Sequence, residues 1–164
     1  MRTLIRLIVM LGGALTMLAI AAIATPVYAA VQPPRFNADS GDSCPYGVTM
    51  GTLTWRFSGA TATALAVDIE GTVSDQPTPL SPRNCRSDGL NSRASFTAYF
   101  GSAVVGSRSA TVDNGELPFA FRLGGSGTIG RIDRLVVQVC RFPTTPVGIS
   151  YCGAPKTYRP VLTW

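Results

Sequence analysis

An antiparallel β-sandwich of about seven strands, all-β and closed by two disulfides, is the fold this sequence predicts. Three observations carry it. Short runs of period-two alternation are separated by turn formers, no amphipathic helical pattern follows the amino-terminal apolar segment, and four cysteines stand far apart. A closed barrel is the alternative for the same pattern.

The chain opens "MRTLIRLIVMLGGALTMLAIAAIATPVYAA", where Arg2 and Arg6 precede an apolar run from Leu7 to about Ile23 and a tail of small residues. That is the pattern of a secretory signal peptide spanning residues 1–29, cut after Val27-Tyr28-Ala29, since a cut after Ala30 would place bulky Tyr28 third from the scissile bond. The expected location is extracellular, with no stable membrane insertion after cleavage. Retention as an anchor is the rival reading, because the apolar run approaches the ~20 residues that span a bilayer. Residues 30–46 read as an irregular lead-in and residues 47–164 as the sandwich domain.

The first strand, "VTMGTLTWRF", sets Thr49, Gly51, Leu53, Trp55 and Phe57 on one side. In "TALAVDIEGTV", Leu65, Val67 and Ile69 oppose Ala64, Ala66, Asp68 and Glu70. Three prolines and many turn formers make "SDQPTPLSPRNCRSDGLNS" a long surface loop. "RASFTAYF" then directs Ala94, Phe96, Ala98 and Phe100 inward and Arg93, Ser95, Thr97 and Tyr99 outward. "AVVGSRSATV" is a weaker strand, and "DNG" turns into "LPFAFRL", with Leu117, Phe119, Phe121 and Leu123 sharing a face. "RIDRLVVQVCRF" sets Leu135, Val137 and Val139 opposite Ile132, Val136 and Cys140. "KTYRPVLTW" closes the chain as an edge strand, given Pro160.

Without residues 1–29, twelve basic and nine acidic side chains remain, a net charge of +3 with no Lys/Arg run. Such a weak, scattered charge gives little steering toward nucleic acid, so no nucleic-acid partner is expected. Cys44, Cys85, Cys140 and Cys152 lack both the close spacing of a zinc or redox site and any histidine partner. They read as a disulfide framework. Local chain geometry pairs Cys140 with Cys152 across a turned-back segment, leaving Cys44 for Cys85.

The strands "GTLTWRF" and "RASFTAYFGSAVVGSR", with "IDRLVVQVCRF" followed by "YCGAP", resemble small secreted actinobacterial proteins of uncharacterised function. The resemblance covers most of the chain after residue 29 and implies a secreted β-rich domain with a local disulfide. It transfers no catalytic residue.

Chemistry is scarce. Histidine is absent, which removes Ser-His-Asp and Cys-His mechanisms and every His-ligated metal. Lys156, the only lysine, reads as a solvated surface residue rather than half of a Ser-Lys dyad. Asp68 and Glu70 share a strand face at a spacing of roughly 6.6 to 6.8 Å, which suits paired carboxylates but also any polar face. Asn37, Asp39 and Asp42 offer oxygen ligands for calcium without the order of an EF-hand. "GGSGTIG" has no following lysine or helix and reads as a turn rather than a phosphate loop.

The expectation is therefore no catalytic residue, no metal and no cofactor. Among Tyr46, Tyr99, Tyr151 and Tyr158, exposed rings could stack on sugars or dock a partner; Tyr99, Arg93 and Tyr158 are the expected binding residues. Trp55 reads as core. The leading function is surface recognition of cell-envelope polysaccharide or of a secreted protein. The alternatives are a carboxylate-dependent hydrolase using Asp68 and Glu70, and a proteinase inhibitor presenting loop 75–88.

Overall fold

Alternating sequence becomes paired strand throughout. The computed structural model describes residues 33–42, 44, 46–58, 63–76, 88–125 and 131–161, all within the compact unit Val31–Trp164. The expected signal peptide, Cys85, the interior of loop 75–88, the later part of "GGSGTIG" and Trp164 lie outside the described residues.

Nine strands follow one another among the described residues: β1 (Arg35–Asp39), β2 (Val48–Arg56), β3 (Ala66–Ser74), β4 (Leu90–Phe100), β5 (Ala103–Val112), β6 (Glu116–Gly124), β7 (Arg134–Pro143), β8 (Tyr151–Cys152) and β9 (Lys156–Tyr158). They form two antiparallel sheets, one ordered β1-β2-β3-β6 and the other β5-β4-β7-β8, with β9 also paired to β7. No helix occurs among the described residues.

Period two explains why these segments pair as they do. The strands β2, β3, β4 and β7 each carry an apolar column, and burying it fixes register, because a one-residue slip would turn those apolar side chains to water. Leu53 and Trp55 of β2, Val67, Ile69 and Val73 of β3, Ala94, Phe96 and Ala98 of β4, and Leu135, Val137 and Val139 of β7 enter one buried cluster fed by both sheets. Phe96 lies at its centre, edge-on to Phe36 at 5.6 Å, to Phe119 at 5.1 Å and to Phe121 at 5.2 Å. Pairs of this geometry add ~0.5–1.5 kcal/mol beyond their buried area. The Phe36 ring needs room, which the register-paired Gly51 and Gly71 provide. A Cβ on Gly51 would stand 2.8 Å from the ring's Cε1, and one on Gly71 3.0 Å from its Cζ.

Several sequence expectations need correction. The stretch 30–46 is not wholly irregular: Arg35–Asp39 is strand β1, with Phe36 and Ala38 buried. Five residues carry only two apolar positions, too few for alternation to stand out. Leu65 is exposed while Ala64 is fully buried, because the chain bridges at Ala64↔Ile132 before β3 begins and the column is offset there. The same bridge carries Ile132 into the shared core ahead of β7. Phe100 faces solvent rather than the core, since the β4–β5 register shifts between Ala98 and Tyr99. The segment expected as a weak strand, Ala103–Val112, is a full partner of β4.

Candidate recognition surface

The outward face of the β5-β4-β7 sheet gathers the polar column of the sequence. On β4 this column is Arg93, Ser95, Thr97 and Tyr99; register sets Thr111, Ser109 and Ser107 of β5 beside Arg93, Ser95 and Thr97. On the other flank, β7 supplies Gln138 opposite Ser95 and Arg134 opposite Tyr99. An open depression of about 520 Å³ is lined by Arg93, Ser95, Thr97, Ser107, Arg108 and Ser109, with no carboxylate among them.

Each end of this face is closed by a stacked pair. The Arg93 guanidinium lies over the Phe142 ring at 4.6 Å, and its Nε donates to Thr111 Oγ1 at 3.3 Å. At the far end, Arg134 lies over Tyr99 at 4.5 Å, fixed by donation to Gly101 O at 2.6 Å and to Asp133 at 3.0 Å. Stacking over a ring steadies each guanidinium. Tyr99 lies six residue steps along β4 from Arg93, about 20 Å of strand. Arg93 and Tyr99 are thus brought onto one face, but Tyr99 offers a ring already covered on one side. Arg134, Phe142 and Gln138 escaped sequence reasoning, since only cross-strand register places them here.

Tyr158 does not belong to this face. Its hydroxyl donates to Asn37 O at 2.7 Å and accepts from Asn37 N at 3.0 Å, and its ring meets Phe36 at 6.4 Å, so it pins β9 of one sheet to β1 of the other. Tyr46 is buried beneath the Arg141 guanidinium at 4.9 Å, and burial raises its phenol above the usual range. Tyr151 donates to Asp42 at 2.6 Å; burial, then that bond, pushes its pKa to about 12.

A second constellation lies inside the fold. Arg141 continues the inward column of β7 past Val139 and is completely buried. It donates to buried Asp75, to Ser92 Oγ at 3.1 Å, and to both oxygens of Asp88 at 2.8 and 2.7 Å, while its Nε has no partner. Burial foremost raises the Asp75 carboxyl above the ordinary aspartate range, with Ser92, Arg141 and the Asn114 N–H pulling it back. Asp75 and Asp88 are the two ends of the Pro-rich loop, so a single buried guanidinium ties both ends of that loop to β7.

The remaining site expectations separate cleanly. Asp68 accepts from Arg122 and, at 2.8 Å, from Arg56, and these bonds, Arg122's first, hold its carboxyl below the usual range. A carboxylate held ionised between two arginines is not poised as the proton-bearing acid of a glycosidase, and Glu70 on the same strand face is exposed. Asp42 is engaged by Tyr151 and Ser40, Asp39 accepts from the Gly41 N–H, and no group of three His, Cys, Asp or Glu side chains is placed to hold a metal among the described residues.

The expected staple is present: Cys140 and Cys152 sit directly opposite each other in register on β7 and β8 and are bonded. Gly153 follows, and a Cβ there would lie 1.9 Å from Asp39 O, so only glycine lets β8 pass the end of β1. Cys85, and with it the expected Cys44–Cys85 bridge, lies outside the described residues.

Comparison of this chain with known protein families, characterised proteins and solved structures finds no match.

Proposed function

We propose that this chain is an exported, non-enzymatic β-sandwich that binds a polysaccharide of the cell envelope along the outward face of the β5-β4-β7 sheet. One observation carries the reading: a hydroxyl-lined face about 20 Å long is bracketed by the stacked pairs Arg93–Phe142 and Arg134–Tyr99. Sugars offer many hydroxyls and apolar ring faces. Flat guanidinium planes, aromatic edges and a row of Ser and Thr hydroxyls match both features without requiring a deep pocket. The depression itself is lined by Arg93 and Arg108 and by no carboxylate, which suits hydroxyl-rich chains bearing some negative charge.

Export through a cleaved signal peptide belongs to the same proposal. The Cys140–Cys152 bridge favours it, since disulfides persist in oxidising compartments. A second bridge from Cys44 to Cys85 completes the framework; no free cysteine occurs among the described residues, and Cys140 and Cys152 already pair with each other. The likeness to small secreted actinobacterial proteins agrees with that compartment.

Co-sedimentation of the oxidised full chain with isolated cell wall, chitin and cellulose tests the reading. Retention on at least one polymer, lost in Arg93→Ala/Tyr99→Ala with an unchanged far-ultraviolet spectrum, is the expected result. Equal retention of that variant, or no retention on any polymer, refutes it.

A further inference from the structure

Open depressions lie on the outward faces of both sheets, and they differ in charge. On the β1-β2-β3-β6 sheet, a depression of about 420 Å³ is lined by Arg56, Asp68, Glu70, Ala120, Phe121 and Arg122. Two cations there face two carboxylates, and Asp68 pairs with both arginines. The depression on the β5-β4-β7 face holds Arg93 and Arg108 and no carboxylate. Positive charge is therefore neutralised on one face of the molecule and left open on the other.

Arg108 reaches this depression against the parity of its strand. Register sets it opposite buried Phe96, which turns it toward the inner side. It is nevertheless exposed, because β5 is the edge strand of its sheet and the long stem carries the guanidinium along that edge. Neither arginine forms an ion pair among the described residues; Arg93 gives its Nε to Thr111, and Arg108 has no polar partner. Phe96 stands three residue steps from Arg93 on β4, so Arg108 lies about 10 Å further along the sheet. Ser95 and Ser109 lie between the two arginines, with Thr97 and Ser107 one step beyond, and no described residue takes any of these four hydroxyls.

Charge complementarity selects the occupant. A neutral sugar chain uses the hydroxyls but leaves both guanidinium groups uncompensated. An oxyanion accepts charge-assisted hydrogen bonds from them, roughly twice as strong as neutral ones. One small anion does not span positions about 10 Å apart, whereas a chain with repeated anionic groups engages both at once. Nucleic acid carries the same charge, but single strands are held by successive free aromatic platforms, and the Tyr99 and Phe142 rings of this face already stack on arginine.

We propose that the bound polysaccharide is anionic and that Arg93 and Arg108 select it, each taking one oxyanion of the chain, carboxylate or phosphodiester, with Ser95 and Ser109 bonding the sugar between. The assignment rests on the polysaccharide reading of this face and adds Arg108 to it as a specificity residue.

The test is co-sedimentation of the oxidised full chain with four preparations: untreated cell wall, wall with its carboxylates converted to amides, wall stripped of phosphodiester-linked polymers by hydrofluoric acid, and wall given both treatments. Retention should be lost on the doubly treated wall, and the single treatment that matters identifies the oxyanion. Arg108→Gln should weaken binding to untreated wall at least about tenfold, as loss of a charge-assisted hydrogen bond does. Arg35→Gln removes the same charge from an exposed position on the other sheet and should bind as the wild type does. Circular dichroism establishes that both variants keep the fold. Equal retention on untreated and doubly treated wall, retention on chitin or cellulose but not on untreated wall, wild-type binding by Arg108→Gln, or equal losses in the two variants overturns the anionic assignment and leaves polysaccharide binding standing. Capture of single-stranded DNA as tight as that of wall overturns it as well, and would assign the face to nucleic acid. Absence of retention on every polymer refutes the assignment and the reading beneath it together.

Discussion

Replacing Arg141 with methionine removes the guanidinium that pairs with Asp75 inside the fold, and its effect can be worked from the geometry. Arg141 and Asp75 have side chains 0% and 1% exposed, whereas Asp88 is 32% exposed. Loss of the guanidinium lets Asp88 turn to water but leaves Asp75, among the described residues, with Ser92 and the Asn114 N–H. Breaking one partner of a buried pair typically destabilises by ~3–5 kcal/mol, a large share of the 5–15 kcal/mol that holds a domain folded. With a urea m-value of 1–3 kcal/mol/M, the midpoint should fall by about 2 M. Equilibrium urea unfolding followed by intrinsic fluorescence measures this directly. Adding Asp75→Leu to Arg141→Met should recover most of the loss, because removing both charges together leaves nothing unpaired. A midpoint shift below about 0.5 M for the single variant, or no recovery in the double, would refute the assignment of a buried, paired charge at the base of loop 75–88.

Acid stability follows from Asp68. Its folded pKa lies below the ordinary aspartate value, so its contribution is complete above that value and disappears as pH falls through the folded one; Asp68→Asn should lower stability by about 0.5–1 kcal/mol near neutrality and give a shallower acid limb in thermal melts. A variant with the wild-type acid limb would show the ion pairs to be inert. Tyr158→Phe removes both hydrogen bonds to Asn37 and should cost about 1–2 kcal/mol while leaving polysaccharide retention intact. A loss of retention in that variant would return Tyr158 to the binding surface.

The apolar columns of β2, β4, β6 and β7 were legible because a half-buried strand must repeat every two residues, and nothing else in the chain does so. Legibility fails where the pleat is interrupted. Leu65, Phe100 and Ile132 all sit within two residues of a strand end or a register shift, and there parity no longer predicts the face. Arg141 shows a different failure. The column Leu135, Val137, Val139 continues by the same step to Arg141, and the column Phe96, Ala94 continues to Ser92, which pairs with it. Parity alone therefore placed a charge inside the fold. Its burial was not legible because a buried arginine requires carboxylates, and those come from Asp75 and Asp88, far away in sequence at the two ends of the Pro-rich loop.

The recognition surface was half legible for a related reason. Arg93 and Tyr99 share one strand, so alternation places them together, but each is completed by a residue of β7 whose position depends on a pairing more than thirty residues away in sequence. The stretch "YCG" makes the same point at smaller scale. Its cysteine announced a bridge to Cys140, yet Tyr151 reaches Asp42, Gly153 lies against Asp39, and Arg141 beside the bridge holds Asp75 and Asp88. The disulfide staples the hairpin in sequence, whereas its neighbours lock that hairpin to the end of β1 and to the base of the Pro-rich loop. Reducing the bridge should therefore loosen the tip at residues 144–150 before it loosens the sheet face, because the face rests on β4–β7 pairing and the tip on the staple.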